Sequence, residues 1–181
     1  MSADDRRASK FLSYVLRHHP DEVGVTLDAQ GWVAVDALLA GMAAHGTVLT
    51  RTDLDRIVAE DSKRRYAYSD DGARIRASQG HSVDVELGYE PAAPPPLLYH
   101  GTAEQNLASI LATGLDRRER HHVHLSAASD TARQVGGRHG RPIVLHVDAA
   151  RMHGDGFAFF LTANGVWLVE QVPPIYLTVP R

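Results

Sequence analysis

Along the first stretch of the chain, apolar residues recur at Ala8, Phe11, Leu12, Val15 and Leu16. This i, i+3, i+4, i+7 spacing predicts an amphipathic helix over 8–16, ended by Pro20. Asp28-Ala29-Gln30-Gly31 reads as a turn between short extended pieces, and Val35 to Met42 as a second helix. Thr50 followed by Asp53 has the form of a capping box, opening a third helix with Leu54, Ile57 and Val58 on one face. From Lys63 to Ser69 the period changes to two, with Tyr66 and Tyr68 on one face and Arg65 and Ala67 on the other. Asp70-Asp71-Gly72 turns this strand and Ala73 to Ala77 returns it. Three helices followed by a hairpin is the order of a winged helix. Many winged helices bind only proteins, so the order alone does not assign a function.

Pro91-Ala92-Ala93-Pro94-Pro95-Pro96 interrupts the pattern and predicts a stiff linker, because proline continues neither a helix nor a central strand. The expected division is 1–90, a linker at 91–96, and 97–181. Beyond the linker, Leu97-Leu98-Tyr99 is a short strand running into His100-Gly101-Thr102. Thr102 and Gln105 suggest a capping box for a helix through Leu107, Ile110 and Leu111, stopped by Gly114. A helix is expected from about Ser129 to Val135 and a strand from Pro142 to Asp148. Phe157 to Leu161 and Val166 to Glu170 flank Asn164-Gly165, a type I′ hairpin signal, and Ile175 to Val179 closes the chain. Many short strands with two small helices predict a compact split β-sheet. The whole is therefore expected to be α+β. Trp32 and Trp167 read as core, and His139, His146 and His153 as structural or exposed.

The 181 residues suit one large domain or two small ones. Cysteine is absent, which removes disulfides and a thiol nucleophile. No apolar run reaches membrane-spanning length, and Asp4-Asp5-Arg6-Arg7 does not open a signal peptide. A cytoplasmic monomer without membrane or metal partners is the expected form. Net charge is −3; residues 1–90 hold 11 Lys and Arg against 15 Asp and Glu, and residues 91–181 hold 8 against 7. That balance argues against a broad basic surface for long nucleic acid. The cations are nevertheless clustered, at Lys63-Arg64-Arg65, Arg74 with Arg76, and Arg117-Arg118 with Arg120. Such clusters suit a few specific phosphates.

Arg120-His121-His122-Val123-His124-Leu125-Ser126 concentrates the chemistry. Read as a strand, it turns Val123 and Leu125 to the core, and Arg120, His122, His124 and Ser126 to the other face. A guanidinium, two imidazoles and a hydroxyl can all donate to phosphate or sugar oxygens. A solvated polar edge strand and a metal site through His122 and His124 are the alternatives. The metal is disfavoured because no carboxylate sits at ligand spacing. Neither a G-x-G-x-x-G nor a Walker pattern is present, so a nucleotide would be held by another route.

Several strings resemble a known family in order along nearly the whole chain. They are Ser13-Tyr14-Val15-Leu16-Arg17-His18, Lys63-Arg64-Arg65-Tyr66, Arg76-Ala77-Ser78-Gln79-Gly80-His81-Ser82, Tyr99-His100-Gly101-Thr102, Arg120 to Ser126, and Gly165-Val166-Trp167-Leu168. The family is that of the RNA (tRNA) 2′-phosphotransferases. The resemblance implies an N-terminal winged-helix RNA-binding lobe and a C-terminal ADP-ribosyltransferase-like split β-sheet lobe that binds NAD. It implies transfer of an internal RNA 2′-phosphate to NAD as co-substrate, through an ADP-ribosylated RNA phosphate. The products are 2′-hydroxyl RNA, nicotinamide and ADP-ribose 1″,2″-cyclic phosphate.

By motif, the resemblance assigns catalysis to Arg17, His18, Arg65 and Arg120. It assigns NAD binding to His100, Gly101 and Thr102, with His124 and Ser126 alongside. Lys63, Arg64, Arg76, Gln79 and His81 become candidate RNA contacts, with tRNA one candidate substrate. His121 departs from the motif, where an uncharged polar residue is expected, and the linker is unusually rich in proline. The ribose-holding glutamate of many ADP-ribosyltransferases is missing from Val166-Trp167-Leu168, and Glu170 is too loose a match to assign. Two other classes stay open: an ADP-ribosyltransferase acting on protein or on a nucleic-acid terminal phosphate, and a winged-helix nucleic-acid-binding protein.

Overall fold

The computed structural model describes residues 3–138 and 140–180, so His139 lies outside the described residues. The chain divides into two compact units, Met1–Gly88 and Tyr89–Arg181. It is an α+β protein with two antiparallel sheets.

Unit 1 begins with helix α1 (Ala3–Arg17), which buries Leu12, Val15 and Leu16 completely. Asp28 Oδ1 accepts from the backbone N–H groups of Gln30 and Trp32, both at 2.9 Å, closing the expected turn. Strand β1 (Val33–Ala34) and helices α2 (Val35–Ala44) and α3 (Arg51–Ala59) follow. Thr50 and Asp53 form the capping box read from the sequence: Thr50 Oγ1 accepts from Asp53 N at 3.1 Å, and Asp53 Oδ2 accepts from Thr50 N at 3.0 Å. Strands β2 (Tyr66–Tyr68) and β3 (Arg74–Ala77) complete a sheet of order β1-β3-β2. Leu38, Met42, Leu54, Ile57 and Ile75 close the core beneath it.

Two expectations for this unit fail. The strand predicted from Lys63 begins only at Tyr66. Asp61 captures the N–H groups of both Arg64 and Arg65, and Arg64 takes φ 45, so the segment turns instead of extending. Trp32 is half-buried and not core. The Arg76 guanidinium lies 4.4 Å from its ring centre and that of Arg74 5.6 Å away, so cations take the place of apolar neighbours.

Unit 2 is a six-stranded sheet of order β7-β8-β5-β4-β6-β9. Its strands are β4 (Leu97–Ala103), β5 (Val123–Ser126), β6 (Pro142–Asp148), β7 (Phe159–Leu161), β8 (Val166–Val169) and β9 (Leu177–Thr178). Helices α4 (Leu107–Thr113), α5 (Ser129–Gly136) and α6 (Ala149–Gly154) connect them. Leu98, Leu125, Leu145, Val147, Met152, Phe159 and Trp167 form the core. Strand β4 pairs with β6 along its whole length, from Leu97↔Asp148 to Ala103↔Pro142. Its ladder with β5, at the middle of the sheet, is a single pair, Tyr99↔Ser126. The proline-rich stretch lies against β7: Pro91 bridges Phe160, and Ala92 N donates to Phe159 O at 2.8 Å.

Local details of unit 2 depart from the reading. The Thr102–Gln105 capping box does not form, because pairing with Ile143 keeps Thr102 in β4. A 3₁₀ turn (Glu104–Asn106) then precedes α4. The Asn164-Gly165 hairpin forms, but not as type I′. Only Gly165 is left-handed there (φ 80), and Thr162 N bonds Val166 O across a three-residue turn. Arg120 lies outside β5. The Arg120 N–H bonds Arg117 O at 3.0 Å and Arg118 takes φ 50, so the chain is still turning there. Within β5 the alternation holds, with Val123 and Leu125 buried and His124 and Ser126 half-buried. Helix α6, capped by Asp148 accepting from Arg151 N at 3.1 Å, is absent from the periodicity reading.

Candidate active site

The chemically active side chains fall into two groups, one in each unit. In unit 1, Arg17 ends α1 and His18 follows it. A loop over residues 78–82 holds them. The N–H of Ser82 donates to Arg17 O at 2.9 Å, and His18 Nδ1 lies 2.9 Å from Ser82 Oγ. Gly80 lies beside the same arginine, where a Cβ would meet Arg17 Nη1 at an ordinary contact distance of 3.7 Å. The other end of the loop grips the turn that carries Arg65. Ser78 N donates to Arg65 O at 2.7 Å, and Ser78 Oγ donates to Arg64 O at 2.8 Å. One short loop therefore connects Arg17, His18 and Arg65 by hydrogen bonds.

Arg65 has a second anchor. Its N–H donates to Asp61 Oδ2 at 2.6 Å, and its Nη1 sits 3.2 Å from Asp61 Oδ1 and 3.4 Å from Ser9 Oγ. Ser9 also accepts through its carbonyl from the Tyr66 hydroxyl at 2.6 Å, fixing β2 to α1. Ser9 and Arg17 are eight residues apart on one face of α1, a rise of about 12 Å. Asp61, Ser78 and Ser82 are the residues that sequence reasoning passes over. Ser78 and Ser82 stand inside a quoted motif without a role. The signal for Asp61 is a carboxylate four residues ahead of an arginine, just past a helix.

The proposed RNA contacts differ in availability. Lys63 and Arg64 are exposed on the turn and Gln79 is half-buried in the loop, whereas His81 is buried. Arg76 is drawn inward: its Nη1 donates to Gln30 O and Leu87 O at 3.2 and 3.3 Å while its plane covers Trp32.

In unit 2, His100 stands where the β4–β5 ladder ends. Its Nδ1 lies 3.2 Å from His124 O, so Nδ1 carries the proton. Burial holds the imidazole below the usual histidine range; the bond to His124 O opposes this, and the charge of Arg120 adds to it. A neutral ring protonated on Nδ1 leaves Nε2 as an acceptor. His124 Nδ1 lies 3.0 Å from His122 O, which fixes its ring in the same way. His122 packs edge-on against Phe160, with ring centres 5.5 Å apart. Burial, then the charges of His121 and Arg117, lower its pKa as well. Arg120 is exposed, and its field reaches His100.

Gly101 has a steric reason for being glycine. A Cβ there would lie 1.6 Å from Ala132 O, so α5 rests directly on β4. Thr102 is buried, and its hydroxyl accepts from Asn106 Nδ2 at 3.4 Å. Among the described residues no three of His, Cys, Asp and Glu are grouped to hold a metal ion, and no helix is long and apolar enough to cross a membrane.

A family model described as "RNA 2'-phosphotransferase, Tpt1 / KptA family" matches residues 3–171. The chain belongs to that family. Its relatives agree across their lengths. A Streptomyces coelicolor protein is 54% identical over 174 residues, covering 96% of this chain and 94% of its own. One from Agrobacterium fabrum is 56% identical over 171 residues, covering 94% and 92%. One from Rhodopirellula baltica is 51% identical over 183 residues, covering 99% and 100%. Each bears the name "Probable RNA 2'-phosphotransferase". The 2′-phosphotransferase family thus spans both units of the chain, with Arg17 and Arg120 alike inside the matched region.

Proposed function

We propose that this member of the family is an NAD-dependent enzyme that removes an internal 2′-phosphate from RNA. In this reading unit 1 is a winged-helix RNA lobe and unit 2 an ADP-ribosyltransferase-like NAD lobe. The three helices with a β1-β3-β2 sheet support the first assignment, and the single-pair ladder between β4 and β5 supports the second. The observation that carries the reading is the loop joining Arg17, His18 and Arg65. A phosphate dianion needs clustered, pre-oriented guanidinium donors, and here hydrogen bonds from one loop hold two arginines and an imidazole.

The residues of unit 2 suit NAD. His100 Nε2 would accept from a ribose hydroxyl, and His124 and Ser126 stand on the adjoining strand. NAD supplies an electrophilic ribose carbon and a leaving group that departs neutral. Arg17 and Arg65 would orient the RNA phosphate, and Arg120 would offset the charge of two approaching anions. His18, held through Nδ1 by Ser82, would give its other proton to the departing RNA 2′-oxygen.

The test is incubation with NAD and a 2′-phosphorylated oligonucleotide. The expected products are 2′-hydroxyl RNA, nicotinamide and ADP-ribose 1″,2″-cyclic phosphate. With His18→Ala, ADP-ribosylated RNA should accumulate as a slower gel band, because loss of a general acid costs about 10²–10⁴ in rate at the second step. Phosphate release without NAD would overturn the proposal. A wild-type reaction ending at ADP-ribosylated RNA would make the protein a simple ADP-ribosyltransferase.

A further inference from the structure

We propose that Asp61 is the positioning residue for Arg65, holding the guanidinium by one end so that Nε and Nη2 meet the RNA phosphate. This rests on the reading of Arg65 as a phosphate-binding residue. Carboxylates are seldom buried unless paired and hydrogen-bonded. The Asp61 side chain retains 3% of its exposure, against 28% for Arg65. Its Oδ2 takes the Arg65 N–H at 2.6 Å, its Oδ1 faces Arg65 Nη1 at 3.2 Å, and its carbonyl takes the Arg64 N–H at 2.8 Å. Backbone and guanidinium of the same arginine are thus fixed to one carboxylate that cannot itself move into solvent.

Which nitrogens are used decides the rest. A guanidinium has five N–H donors in a rigid plane. Asp61 and Ser9 both engage Nη1. Among the described residues, the Arg65 Nε and Nη2 donate to nothing. Those two nitrogens form one edge of the fork, the edge that can grip two phosphate oxygens at once. An exposed ion pair would fix little, since both chains could reorient. A buried carboxylate tied to the backbone sets the direction of the free edge before substrate arrives.

Removing the Asp61 charge leaves Arg65 as cationic as before, so attraction for phosphate persists while orientation is lost. A misplacement of about 1 Å at a reacting group costs on the order of a hundredfold in rate. Asp61→Asn should therefore lower the saturating rate by about ten- to a hundredfold with little change in the RNA concentration at half-saturation.

The experiment is single-turnover kinetics on 2′-phosphorylated RNA at saturating NAD, for Asp61→Asn, Arg65→Ala and the double variant, with thermal melts alongside. If Asp61 acts through Arg65, the double variant reacts as fast as Arg65→Ala alone. Asp61→Glu keeps the charge but displaces it by a methylene. It should show the same rate loss and the same silence in the Arg65→Ala background, and it serves if Asp61→Asn does not fold. A folded Asp61 variant at full rate, or a penalty that persists undiminished without Arg65, would overturn the inference. A full-rate Arg65→Ala would instead overturn the assignment of Arg65 to the phosphate site, and is recognisable as that separate failure.

Discussion

Replacing Gly101 by alanine should loosen unit 2 before it touches any ligand. The added Cβ would lie 1.6 Å from Ala132 O, 2.5 Å from Ala132 C and 2.9 Å from Gly136 N, all backbone atoms of α5. Favourable carbon contacts run at about 3.5–4.0 Å, so the helix must retreat by roughly 2 Å. No flexible side chain can yield in its place. Overpacking commonly costs about 1–3 kcal/mol, and a clash with backbone belongs near the upper end, about 3 kcal/mol. For a unit of this size each kcal/mol lowers the melting temperature by about 4–8 °C, so a fall of roughly 12–24 °C is expected. Fluorescence in a Trp32→Phe background reads unit 2 alone, because Trp167 sits in β8. Gly136→Ala offends the same contact from the helix side, with its Cβ 2.8 Å from Thr102 N and O. Combining the two should cost less than the sum of the single changes, since one retreat of the helix relieves both. A Gly101→Ala protein that melts with the parent, yet fails to bind NAD, would refute the steric argument and make Gly101 a ligand contact.

Ser82→Ala removes the hydroxyl that holds His18 Nδ1, and a net hydrogen bond of about 0.5–1.5 kcal/mol predicts a rate loss of up to about tenfold. His18→Ala should mask that loss, as a double-variant rate comparison would reveal. The imidazoles of His100 and His122 lie below the usual 6.5, in each case first because of burial. A histidine depressed in the folded state binds fewer protons folded than unfolded. Its stabilising contribution is complete above pH 6.5 and is lost as pH falls through the folded value. Melting of unit 2 followed from neutral to mildly acid pH should show this decline, and Arg120→Ala, by relieving part of the depression at His100, should flatten it.

The sequence discloses some of these features and conceals others for physical reasons. Thr50 and Asp53 announce α3 because both halves of the capping interaction lie within four residues. Val123 and Leu125 announce the buried face of β5 because strand alternation is a local property. Alternation continues on paper to Arg120, but the left-handed backbone at Arg118 that breaks the strand carries no glycine to mark it. Trp32 looks like core because its arginine neighbours come from β3, more than forty residues later. Motif resemblance marks Arg17, His18 and Arg65, yet the hydrogen bonds that join them run through Ser78, Ser82 and Asp61, whose significance depends on long-range closure of the chain.

The proline-rich segment bears on how the protein stays dispersed. Strand β7 is the outermost strand of the six-stranded sheet, a position whose unpaired backbone invites a strand from another molecule. Pro91 and Ala92 already lie along it at Phe159 and Phe160. Proline has no N–H to offer a newcomer, so the cover presents no donor at Pro91. The first residues of a segment that looks from its composition like a mere spacer thus act as a selvedge, finishing the sheet at Phe159 and Phe160.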